Sequence, residues 1–112
     1  MISANEIGEI IAVYRKHGWI LRRILLSAGL KRRVIDDLSH LIDGVQVIES
    51  DIDAAWFSRL PKPGGVAWEI RHLSETPYAL VEKMDEDSID FEATLRAVES
   101  RLRETVLIRK SA

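Results

Sequence analysis

Ile7, Ile10, Ile11 and Tyr14 recur at the i, i+3, i+4, i+7 spacing of one apolar helical stripe. Ser3 followed by Glu6 forms a capping box, which satisfies the orphaned backbone donors at a helix start. Arg15, Lys16 and His17 suit the negative end of the helix dipole, and Gly18 is a natural stop. The pattern then changes period. Over Trp19–Leu26 apolar residues fall on both faces, with Leu21 and Leu25 flanking Arg23 and with Ile20 and Ile24 flanking Arg22. A strand covered on both sides, near the middle of a sheet, fits that run. Leu30, Val34, Leu38 and Leu41 restore the helical period from Leu30 to about Asp43, closed by Gly44.

Val45–Ile48 is short and β-prone, a brief strand or an irregular link. A hairpin comes next, with arms over about Asp53–Leu60 and Val66–Leu73 around the Pro61–Gly65 loop. Ser74-Glu-Thr-Pro77 makes the next turn, and Tyr78–Met84 the next strand. The acidic run Asp85-Glu-Asp-Ser88 breaks the pattern and can cap a helix after it. Phe91, Leu95, Val98 and Leu102 then mark that last helix, which Val106-Leu-Ile108 could extend, with Lys110–Ala112 fraying. The expected order is α-β-α-(β)-β-β-β-α. This is an α+β fold, a single domain over 1–112, with a four- to five-stranded antiparallel sheet. The β-meander spans about 53–84, and three helices pack mostly on one face.

With Pro61–Gly65 as the loop, the hairpin pattern assigns residues to faces, and a one-residue slip would swap the faces of one arm. Pairing Ser58 with Trp68 and Trp56 with Ile70 puts Ala54, Trp56, Ser58, Trp68, Ile70 and His72 on one side. Ala55, Phe57, Arg59, Ala67, Glu69 and Arg71 take the other, with Asp53 at its end. The tryptophan face reads as core or as a contact surface. Trp56, Phe57, Trp68, Phe91, Leu95 and Leu102 are the interface candidates.

The charged face is where chemistry could be argued. Asp53, Glu69 and Arg71 could converge, and two carboxylates on neighbouring strands can hold a hard cation. The order Asp, then Glu-x-basic on the next strand, is similar to the pattern of metal-dependent nucleases. Arginine stands where those have lysine, however, and it cannot release its proton to act as a base. A further strand also comes directly after, where that fold uses a helix. The plainer alternative is a cross-strand charge ladder of Arg59 and Arg71 with Glu69 and Glu82. His72, beside Trp68 and Ile70, is a candidate general base with no nearby nucleophile. His17 and His40 share no metal-binding spacing with it. Lys62-Pro-Gly-Gly65 joins two strands, so it lacks the helix N-terminus that a phosphate-cradling loop needs.

Charge and composition then narrow the classes. The chain has 112 residues, 46% hydrophobic and 30% charged, in the range of soluble globular proteins. With no cysteine, disulfides and thiolate chemistry are excluded. Net charge is -2, which offers no global polycation for nucleic acid. Residues 1–42 carry 7 basic against 4 acidic side chains (+3), and residues 43–112 carry 9 against 14 (-5). Arg22, Arg23, Arg32 and Arg33, with Lys31, could still form one basic patch for phosphates. The more economical reading pairs them with the acidic half. No stretch is long and apolar enough for a membrane span, and no signal-peptide order opens the chain.

The expectation is therefore a cytoplasmic, non-enzymatic interaction module that self-associates as a homodimer, without cofactor or metal and with a partner protein possible. A metal-dependent phosphodiesterase or nuclease using Asp53 and Glu69 is the alternative. Nucleic-acid binding through the arginine patch is the third.

Overall fold

A computed structural model describes residues 2–62, 65–74 and 78–111. Its elements run α1 (Ala4–Lys16), β1 (Ile20–Leu26), α2 (Ala28–Leu38), β2 (Gln46–Glu49), β3 (Ala54–Lys62), β4 (Gly65–His72), β5 (Ala79–Met84) and α3 (Phe91–Ser111). The fold is α+β, in the expected order, and the Val45–Ile48 segment supplies a real strand. The strands form one sheet in the order β2-β1-β3-β4-β5. Positions 63–64 of the expected loop, 75–77 of the expected turn, and Ala112 lie outside the described residues.

Local chemistry sets the boundaries. The capping box is made on both sides: the Ser3 side chain accepts from the Glu6 amide, and the Glu6 carboxylate accepts from the Ser3 amide. Gly18 and Gly44 each adopt a positive φ, 86° and 77°, which a side chain would resist. α2 ends at Leu38, five residues before the expected Asp43. The chain continues there in turns, with the Leu41 and Ile42 amides both bonded to the Leu38 carbonyl.

Three expectations need correction. The sheet is mixed rather than wholly antiparallel, because β1 and β2 pair in parallel. The reason is topological: α2 is a crossover that brings the chain back in its original direction. Second, the helices occupy both faces. One core holds Ile7, Ile11, Leu30, Val34 and Leu38 from α1 and α2 against Leu21, Ile24, Leu26, Ala55 and Phe57. The other holds Leu95, Val98 and Leu102 from α3 against Leu25, Trp56, Trp68, Ile70 and Met84. Both faces of the hairpin are apolar at its centre, so each requires its own cover.

The third correction concerns β1. Its register against β3 runs Ile20↔Ser58, Leu21↔Phe57, then Arg23↔Trp56, which leaves Arg22 as an extra residue. This β-bulge reverses the alternation halfway along the strand. Leu21, Ile24 and Leu26 therefore share the α1/α2 side, while Leu25 is buried in the α3-side core, so the strand is covered on both faces but with a different division of residues. β1 does lie inside the sheet, between β2 and β3.

Candidate functional site

The hairpin takes the register expected for its middle: Trp56 opposes Ile70, Phe57 opposes Glu69, and Ser58 opposes Trp68. Its arms reach further than expected, to a Lys62↔Gly65 pair beyond an irregularity after Arg59. The two faces separate as the pattern implied.

On the α3 side, Trp56 and Trp68 are 0% and 2% exposed and meet edge to face at 6.0 Å between centroids. Phe91 adds a second edge contact on Trp68 at 5.1 Å. Trp56 donates Nε1–H to Glu99 at 2.8 Å, while Trp68 Nε1 is buried with no partner among the described residues. An orphaned buried donor costs about 1–3 kcal/mol. The Arg22 guanidinium lies over the same indole, 5.2 Å from its centroid, a cation–π contact with the ring face that leaves the N–H itself unpaired. The interface candidates Trp56, Phe57, Trp68, Leu95 and Leu102 are all buried within the chain, and Phe91 is partly so. They are corrected to core residues: Trp56, Trp68, Leu95 and Leu102 are buried where α3 docks, and Phe57 is buried on the opposite face under α1 and α2.

The bulge gives the arginines their roles. It turns both Arg22 and Arg23 toward the α3 side. Arg23 donates to Glu92, with one bond of 3.0 Å, and Arg22 lies 3.7 Å from Glu86. The hydrogen-bonded Arg23 holds the Glu92 carboxyl below its ordinary range. Arg32 and Arg33 sit on α2, across the sheet, where Arg33 reaches the Ile2 carbonyl at 3.5 Å. The four arginines therefore do not form one patch. Arg101–Glu82 at 2.8 Å and Arg103–Asp51 at 2.9 Å complete the rim of α3. Glu82 is thus on the α3 side, beside Trp68, and not on a ladder with Glu69.

On the α1 side, Asp53 and Glu69 are not brought together. The Leu73 amide donates to the Asp53 carbonyl, so Asp53 stands four ladder positions from Glu69, about 13 Å along the strands. Its carboxylate accepts from the Ser27 amide at 2.6 Å and the Ser27 hydroxyl at 3.3 Å, bracing the entry to α2. Glu69 instead accepts from the Tyr14 hydroxyl. Arg71 donates to the His72 carbonyl, and the His72 amide bonds Tyr78. Among the described residues no cluster of three His, Asp or Glu is placed to hold a metal ion.

Tyr14 is the residue that sequence reasoning missed. It stacks on Phe57 at 4.0 Å between centroids, 8° from parallel. Burial first, then the hydrogen bond to Glu69, raises its phenol far above the ordinary range, with Arg71 opposing. The available signal was a phenol on an apolar stripe, whose polar tip needs a partner once buried.

Beyond Tyr14 the sheet is open. α1 packs on β1, and α3 packs on β4 and β5 from the other side. Among the described residues no helix packs across the α1 side of β5, and on β4 that side is reached by Tyr14 of α1. Val81 is 56% exposed there, as is Val13 on the facing flank of α1. A groove of about 320 Å³ runs along that flank, lined by Glu6, Glu9, Ile10, Val13, Tyr14 and Arg71. A larger open groove of about 940 Å³ lies between the start of α1 and the end of α2, with Gly8, Ala12, Asp37 and His40 among its lining residues. No described helix is long and apolar enough to cross a membrane. No family model matches the chain, and no curated protein or solved structure resembles it closely enough to show kinship.

Proposed function

We propose that this chain is a non-enzymatic interaction module that self-associates as a homodimer in the cytoplasm. The observation that carries the reading is the open end of the sheet: β5 is its last strand, and among the described residues no helix packs over the α1 side of β5. Exposed apolar side chains beside unpaired strand backbone are a docking surface in the ordinary physics of sheets. The side chains with catalytic potential support the same reading, because Asp53 and Glu69 are engaged at separate places.

The groove beside this surface has acidic and basic walls, Glu6 and Glu9 facing Arg71. With both signs present, this flank carries no single-sign field that would repel a second copy pairing at the neighbouring β5 edge. Sedimentation velocity across a concentration series tests the reading. A dimer forming by high micromolar concentration is expected, and a monomer throughout overturns it.

A further inference from the structure

We propose that two copies join edge to edge through β5, antiparallel, about a two-fold axis that passes beside Val81. This rests on the self-association reading and gives it a location and a register.

The backbone determines which groups are free. The His72 amide donates to the Tyr78 carbonyl at 2.9 Å, in the same register that pairs Arg71 with Ala79 and Ile70 with Leu80. Opposed residues of an antiparallel pair alternate between bonded and non-bonded positions. Tyr78, Leu80, Glu82 and Met84 therefore direct their backbone groups to β4. Those of Ala79, Val81 and Lys83 point away from it, toward the open edge.

The side chains choose the register. Leu80 and Met84 pack into or against the α3-side core, so Ala79, Val81 and Lys83 occupy the α1 side. An axis perpendicular to the sheet preserves faces, so residues of like parity must meet. Centring on Val81 places Val81 opposite the partner's Val81, as a pair exchanging both backbone hydrogen bonds. Ala79 then opposes the partner's Lys83, and Leu80 opposes the partner's Glu82, whose charge Arg101 already meets. Centring on Glu82 would oppose two carboxylates, which is unfavourable. The Val81 register satisfies all the outward groups of β5 within the strand and covers its exposed large apolar side chain, Val81.

The test uses the full chain. Val81→Lys and Val81→Glu change an exposed position, and circular dichroism checks that each stays folded. If Val81 opposes itself, each variant alone loses dimer affinity, on the order of tenfold. An equimolar mixture of the two should recover a heterodimer. Val81→Pro removes only an outward amide and should weaken the dimer on the order of thirtyfold while sparing the β4 ladder. A wild-type dimer that none of the three variants weakens overturns the β5 interface and leaves self-association standing. Variants that are monomeric alone and also when mixed overturn the axis at Val81. A wild-type monomer overturns the underlying reading itself.

Discussion

Trp56 and Phe57 are neighbours in β3, both 0% exposed, yet they lie in two differently built halves of the molecule. On the Trp56 side one helix of 21 residues closes over the aromatic cluster, and charged pairs ring its edge. On the Phe57 side two shorter helices cover the β2–β1–β3 half and stop at Tyr14, leaving Glu69, Arg71 and Val81 beside a groove. Charge is placed accordingly. Around α3 it fastens the rim of a dry core. Beyond Tyr14 it lines an open groove.

The contrast between the halves depends first on the α3 side being dry and closely packed. Trp56→Ala removes a fully buried indole and its bond to Glu99. A loss of about 3–5 kcal/mol is expected in urea unfolding. A loss below about 1 kcal/mol would mean that α3 is loosely held and that the tryptophan face is accessible after all.

The boundary between the covered and open halves depends on Tyr14. Tyr14→Phe keeps the ring on Phe57 and removes the hydroxyl that donates to Glu69. The expected cost is about 1–2 kcal/mol, reduced from that of a fully buried charged bond because the site is only partly covered. The pH dependence sharpens the test. The phenol is raised in the folded state, so its contribution is complete below the unfolded value of about 10 and is lost as pH rises toward the folded value. Wild-type stability should fall in that alkaline window, and Tyr14→Phe should flatten part of the fall. Parallel profiles for the two proteins would remove Tyr14 as the seal of the covered half.

Much of this architecture could be read from pattern alone, and the exceptions have identifiable causes. The hairpin faces came out correctly because the assumed Pro61–Gly65 loop gives the same pairing from Ala54 to Arg59 that the strands adopt, although the register shifts beyond Arg59 and the arms run on to Lys62↔Gly65. The Arg22 bulge was invisible. It carries no glycine or proline, and its signature, a reversal of alternation, looks the same as a strand buried on both sides. That one extra residue moved Arg22 and Arg23 to the same face and dissolved the expected basic patch. The placement of α3 was equally hidden. Its stripe of Phe91, Leu95, Val98 and Leu102 specifies a helix with one apolar side, and both faces of the hairpin could accept it. Asp53 illustrates a third limit: its partner Ser27 is 26 residues away in sequence and becomes a neighbour only once β1 and β3 pair.

The smallest effect tests the rim. Glu92→Gln removes the carboxylate that receives Arg23, a pair whose side chains are 17% and 53% exposed for Arg23 and Glu92. Solvent screens such a pair, so its loss should cost no more than about 0.5–1 kcal/mol. The sign of its pH dependence comes from Arg23 holding the Glu92 carboxyl low. Stabilisation is full above the unfolded value, about 4.3, and is lost as pH falls through the lower folded value. Wild type and variant should therefore converge in strong acid, and also at high salt, where the exposed partner is screened. A difference that persists at high salt would show that Arg23 sits in a drier setting than its exposure implies. The bulge would then have buried a charge that Glu92 must neutralise, and the α3 face would contain an ion pair in its core as well as at its rim.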